Sequence, residues 1–155
     1  MKNILLLIML LLASNSIIAQ DETAKRKKHY NVSKSSLALE GYDVVSYFTL
    51  TKPVKGDSKY STFYQGVTYY FSSQANLTAF KANPSKYEPA YGGWCAYAMG
   101  AKGTKVEVDI KNYKVKNGRL FLFYKDFFSN TLDDWNEDET NLKTKADKNW
   151  QNVYR

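Results

Sequence analysis

The stretch Tyr91-Gly92-Gly93-Trp94-Cys95-Ala96-Tyr97-Ala98-Met99 holds the one cysteine of a 155-residue chain. A thiolate and a thioether are soft donors that suit Cu(I). Positions four apart share a helix face, so a helical turn over residues 94–100 would put Cys95 and Met99 side by side. Two donors are an incomplete set, and a third ligand or a second chain would be needed. Two other roles stay open. Both side chains can belong to the core, with Gly92-Gly93 allowing close backbone approach, or Cys95 can be a reactive thiol. A reactive thiol needs a cation, a helix N-terminus or a base beside it. The glycine pair places Cys95 near a helix start, and Lys102 and Lys105 are the candidate cations.

Composition closes several other chemistries. The sole histidine, His29, lies in a basic segment near the N-terminus, a poor place from which to supply a catalytic base. There is no CxxC pair, hence no zinc knuckle or thioredoxin-type redox couple within one chain. No glycine loop of the phosphate-cradling kind is present. Asp133-Asp134 and Glu137-Asp138-Glu139 lie among Asn and Thr near expected helix ends, where carboxylates cap and solvate. No catalytic residue is assigned, and a thiol-dependent enzyme is the least favoured reading.

The elements that must position the cysteine come from local pattern. Val44 to Phe48 is β-branched and aromatic and reads as a strand. Thr62–Tyr64 and Val67–Phe71 flank Gln65-Gly66 as a hairpin. Ser72 or Ser73 is a fair N-cap for a helix to about Asn83, which ends before Pro84. Asn117-Gly118 joins Tyr113–Lys116 to Arg119–Tyr124 in a second two-residue hairpin. The second of these strands is apolar on both faces and reads as central. After it the period becomes helical, with Phe128, Leu132 and Trp135, then Leu142, Ala146 and Trp150. Strands followed by helices predict a single α+β domain with a small antiparallel sheet, hairpins and several short helices. The letters show no internal repeat. The 13 Tyr, 8 Phe and 3 Trp read as core outside the Tyr91–Met99 stretch.

The N-terminus has the form of an export signal. Lys2 precedes an apolar run from Ile4 to Leu12 that is too short to span a bilayer, and the expected cut follows Ala19. Residues 1–19 are thus read as a signal peptide, 20–36 as a flexible basic leader and 37–153 as the domain, in a periplasmic or secreted protein. No membrane span is expected after the signal. The net charge of +7 includes the Lys25-Arg26-Lys27-Lys28 cluster, read as a solvated leader. Export and the lack of a reading motif argue against nucleic acid. A single cysteine in an exported chain suggests a free thiol, an intermolecular bridge or a ligand.

The chain resembles the YHS domain family in its exported bacterial form. The resemblance rests on Gly41–Phe48, on Tyr64-Gln65-Gly66-Val67-Thr68-Tyr69-Tyr70-Phe71-Ser72-Ser73, on Asn76–Tyr87, on Tyr91–Met99 and on Lys145–Trp150. It implies a relative of small treble-clef-type metal modules, in which many members carry cysteines where metal binding is proposed. Here the paired cysteines are absent, Phe71-Ser72-Ser73 stands where a cysteine is frequent, and Cys95 alone is kept. The expectation is an exported binding module engaging a soft metal such as copper through Cys95 and Met99. The alternative is an interaction domain for a protein or small ligand, with Cys95 structural. Tyr42, Asp43, Trp94 and Tyr97 are the candidate ligand contacts.

Overall fold

The computed structural model describes residues 20–155. The expected signal peptide, residues 1–19, lies outside them. No helix of the described residues is long and apolar enough to cross a membrane. The described residues form an α+β architecture of seven helices and two antiparallel hairpins, β1 (Asp57–Tyr64) with β2 (Val67–Phe71), and β3 (Asp109–Lys116) with β4 (Arg119–Phe123). Two two-stranded sheets thus stand where the sequence predicts one small sheet.

Both turns place two consecutive residues at positive φ, Gln65 and Gly66 in the first and Asn117 and Gly118 in the second. This is the type I′ geometry whose twist matches the flanking strands. Strand β4 is buried along most of its length, although it pairs in the sheet only with β3. Its other edge is met by isolated parallel bridges from Pro89 to Leu120 and from Cys95 to Leu122. Those bridges explain the apolar pattern of a strand with one sheet neighbour.

Residues 20–29, read above as part of a flexible leader, form a helix, α1. Its anchors are polar, so hydrophobic periodicity does not reveal it. Arg26 is 3% exposed and pairs with Glu88. Burial opposes its charge, but the hydrogen bond and charge of Glu88 outweigh this and raise its pKa above the ordinary guanidinium value. Tyr154 at the far end of the chain donates to Glu22.

Val44 to Phe48 is not a strand. Val45 N–H bonds to the Asp43 side chain, Ser46 N–H bonds to the Asp43 carbonyl, and Ser46–Thr49 forms a short helix, α2. Local hydrogen bonds of an aspartate override β propensity here. Helices α3 (Gln74–Ala82) and α4 (Pro84–Tyr87) follow, the first capped by Ser73 as expected and the second by Asn83. Beyond a 3-10 turn at Ala90–Gly93 lies α5 (Ala96–Lys102). The chain ends in α6 (Thr131–Glu137) and α7 (Glu139–Val153). Phe128, placed above on the face of α6, precedes that helix and is 92% exposed, beside Phe127 at 93%. Helix α7 packs on α5 so closely that a Cβ at Gly100 would stand 2.5 Å from the Leu142 carbonyl oxygen.

The structure contains a repeat that the letters conceal. Each half runs 3-10 turn, short helix, hairpin and capped helix, and equivalent residues are 52 apart, as Asp57 and Asp109 show. Leu39, Glu40 and Gly41 have positive φ, and so do Tyr91, Gly92 and Gly93. Asp43 N–H bonds to Val54 O at 2.9 Å, and Cys95 N–H to Val106 O at 3.0 Å. Asp57 and Asp109 each accept the amide two residues on, at 2.9 Å. Both hairpins break register after their first pair. Two cores result. One contains Val44, Tyr47, Phe71 and Phe80; the other contains Tyr91, Met99, Phe121, Phe123 and Trp135. The halves differ after the hairpin. Ser73 caps α3 two residues beyond β2, while Asn130 caps α6 seven residues beyond β4. The longer link carries the exposed Phe127-Phe128 pair.

Candidate functional site: a strut at Cys95 and a cationic cleft at Tyr42

Cys95 is the N-cap of α5 and fully buried. The left-handed run Tyr91-Gly92-Gly93 turns the chain so that Trp94 and Cys95 extend along β4. Gly92 is needed there, since a Cβ would lie 2.9 Å from both the Trp150 and the Tyr30 rings. The Cys95 sulfur receives the Tyr124 amide at 3.4 Å and lies 3.4 Å from the Thr131 hydroxyl. Met99 N–H bonds back to the Cys95 carbonyl at 3.0 Å. Its side chain is buried in the second core.

Asp43, fully buried, occupies the equivalent place in the first half. Its carboxylate accepts Val45 N at 2.9 Å, Ser72 N at 2.8 Å, Ser72 Oγ at 2.6 Å and Asn76 Nδ2 at 2.6 Å. Ser72 and Tyr124 are equivalent, each following the last residue of its hairpin. Asp43 and Cys95 therefore perform one mechanical task in two chemistries: each ties the start of a short helix to the exit of a hairpin. The expected ligand contact Asp43 is committed to internal donors.

The Cys95 thiol has two hydrogen-bonding neighbours among the described residues. Sulfur faces an amide and a hydroxyl, and among the described residues no three His, Cys, Asp or Glu side chains gather as a metal group. No imidazole or carboxylate bonds the thiol among those residues.

Trp94 and Tyr97 do not form one surface with Tyr42. Trp94 Nε1 donates to the His29 carbonyl at 2.6 Å, and Lys105 Nζ lies 5.7 Å from the Trp94 ring centre. Tyr97 packs, half-buried, against the second core. Tyr42 instead lines a cleft of about 600 Å³ with Lys52, Pro53, Val54, Lys55, Lys111 and Tyr113. Strand β3 brings Lys111 and Tyr113 to it. Tyr113 donates to Thr51 O at 3.2 Å and meets Tyr47 edge-on at 4.9 Å, while Tyr47 donates to Ile110 O at 2.8 Å. Lys55 Nζ lies 4.6 Å from the Tyr42 ring centre and donates to Glu40 O at 2.6 Å. Among the described residues no carboxylate lines the cleft and none of its three lysines forms an ion pair. Sequence reading missed these lysines because no local signal joins positions 52–55 to 111.

His29 sits against the second half with Lys105 Nζ 3.2 Å from its Nδ1, and its Nε2 is buried without a partner. Burial first, and then Lys105 and Lys28, push its pKa below the usual 6.5. The unfolded chain thus takes up this proton before the native one does, and stability falls as pH drops below about 6.5. Further down, Glu139 is held at about 2 because Lys116 and Lys114 outweigh its desolvation. Its contribution is present above the ordinary 4.5 and is lost as pH falls toward 2. Urea midpoints should decline from pH 7.5 to pH 5, and His29→Gln should flatten that first decline. An unchanged slope in His29→Gln would refute the assignment.

Comparison with curated proteins finds no match, and neither does comparison with solved structures. A family model, the YHS domain, matches residues 45–91. The matched stretch spans the first hairpin with α2, α3 and α4, and it ends four residues before Cys95. With those elements in place, the chain is a YHS domain-containing protein.

Proposed function

We propose that the protein is a non-catalytic binding module that takes an anionic ligand in the Tyr42 cleft, while Cys95 serves the fold. One observation carries the reading: three lysines, none in an ion pair among the described residues, converge on a cleft walled by Tyr42, Tyr113, Pro53 and Val54. Such walls suit a flat or apolar body, and the ammonium groups suit a negative end. Delivery outside the cytoplasm through residues 1–19 belongs to the same proposal, and N-terminal sequencing of the mature protein would check it.

The probe is 2-naphthalenesulfonate, followed by amide chemical shifts. Shifts should concentrate at Tyr42, Lys55, Lys111 and Tyr113. Lys52→Glu with Lys111→Glu should weaken binding about tenfold or more, since each rim charge is worth up to roughly 1 kcal/mol. Equal affinity in that variant, or shifts elsewhere, would overturn the reading. The soft-metal expectation is read in parallel by titrating the reduced protein with Cu(I) against a competing chelator. Equal affinity in Cys95→Ala is expected, and a large loss there would restore Cys95 as a ligand.

A further inference from the structure

We infer that the Tyr42 cleft is a docking groove for an acidic polypeptide segment, a partner for the site proposed above and resting on that proposal. The inference comes from the repeat. Tyr42, Pro53 and Lys55 of the cleft are equivalent to Trp94, Lys105 and Glu107 in the second half, and those three residues already hold a polypeptide. Their occupant is the end of α1 and the residues just after it. Trp94 Nε1 donates to the His29 carbonyl at 2.6 Å, and Lys105 Nζ donates to the Lys28 carbonyl at 3.4 Å. Asn31 Nδ2 donates to Glu107 Oε2 at 3.0 Å and to the Gly93 carbonyl at 3.4 Å, and Asn31 N–H bonds to the Gly92 carbonyl at 2.8 Å. This face of the fold therefore recognises main-chain carbonyls with an aromatic donor and a lysine, and one amide side chain with a carboxylate.

The first half presents the same backbone frame with altered side chains, and Pro53 stands where Lys105 donates to a carbonyl. Tyr42 offers a hydroxyl where Trp94 offers an indole N–H. Lys55 replaces Glu107, and Lys52 and Lys111 add two further cations. Among the described residues no chain segment covers this face. The second-half occupant is basic, with Lys27 and Lys28 leading into His29. The second-half frame holds one lysine and one glutamate, whereas the first-half cleft holds three lysines and, among the described residues, no carboxylate, so its occupant carries carboxylates. Lys55 spends one of its three N–H donors on the Glu40 carbonyl, leaving two for a partner's carboxylate or carbonyl.

The test uses the full mature protein and a fluorescein-labelled, amidated heptapeptide. The peptide copies residues 27–33, with both lysines replaced by glutamate and the histidine by glutamine. Saturable binding by anisotropy is expected, weakened at least tenfold by Lys52→Glu with Lys111→Glu and also by Tyr42→Ala. All three positions lie at the cleft rather than in the buried core, and circular dichroism verifies folding. The unaltered basic heptapeptide should bind at least tenfold more weakly than the acidic one. Equal binding of the two peptides overturns the inference. Binding of 2-naphthalenesulfonate without binding of the acidic peptide overturns it while leaving the small-anion reading intact. Binding of neither overturns both.

Discussion

Arg26→Ala should cost about 3–5 kcal/mol, the range for removing one partner of a buried ion pair. The guanidinium donates to both oxygens of Glu88, to Gln65 Oε1 at 2.9 Å and to the Tyr69 hydroxyl at 3.4 Å. It also lies 4.4 Å from the Tyr30 ring centre and 5.2 Å from that of Tyr64. Alanine removes all of this and leaves Glu88, whose side chain is 13% exposed, with the Tyr69 hydroxyl at 2.5 Å as its remaining named donor. The cost is that of a carboxylate stranded under α1 as well as the lost contacts. Replacing both partners with methionine should recover much of the loss, because apolar packing then takes the place of an uncompensated charge. Urea denaturation of the three proteins checks the prediction. A loss below about 1 kcal/mol would mean that α1 docks loosely and that the leader reading of residues 20–36 is the better one.

That helix marks the boundary between what the letters disclose and what they conceal. The hairpins were legible because Asn117-Gly118 and Gln65-Gly66 state their turn geometry within two residues. The Ser73 cap was legible for the same reason: the donor it satisfies, Asn76 N–H, is three residues away. Helix α1 was not legible, because Glu88 is 62 residues from Arg26 and a cluster of basic residues resembles a solvated tail until its partner is known. The strand expected at Val44–Phe48 failed through a neighbour: Asp43 captures the Val45 amide and begins a helix.

The repeat was hidden for a different reason. Two glycine pairs, Gly41 with Gly93 and Gly66 with Gly118, the hairpin aspartates and the closing phenylalanines are shared, but the buried positions that do equivalent work have changed type. Asp43 became Cys95 and Tyr47 became Met99 between halves, while backbone geometry and spacing were kept. Packing constrains volume and hydrogen-bond direction more than residue identity. The same change explains the candidate site. Cys95 caps α5 and Met99 lies in its first turn, both fully buried, so the four-residue spacing that suggested two ligands also fits a helix entering its core. The cleft lysines gave no sequence signal, because only folding places β3 beside the loop before β1.

Asp43→Ala should be the other severe substitution, at about 3–5 kcal/mol, and comparison with Cys95→Ala tests the equivalence directly. The Asp43 carboxylate accepts from four donor groups at 2.6–2.9 Å. Removing it strips the Val45 and Ser72 amides of partners where α2 meets the first hairpin, and charge-assisted bonds of this kind are about twice as strong as neutral ones. Asp43→Asn should also cost roughly 2 kcal/mol or more, since one amide arm would turn a donor toward donors. Cys95→Ala removes one small buried side chain and two sulfur contacts at 3.4 Å, a loss nearer 1–2 kcal/mol. The asymmetry follows from acceptor strength: a carboxylate gathers four donor groups, while a thiol holds an amide and a hydroxyl weakly. Denaturant midpoints give the two costs, and thiol labelling supplies an independent reading. A Cys95 that serves as a strut reacts with a disulfide reagent only through opening of the fold, so Asp43→Ala should accelerate its labelling if the two halves open together. Rapid labelling of the native protein, at the rate of an unfolded control, would show instead that the thiol is presented for chemistry.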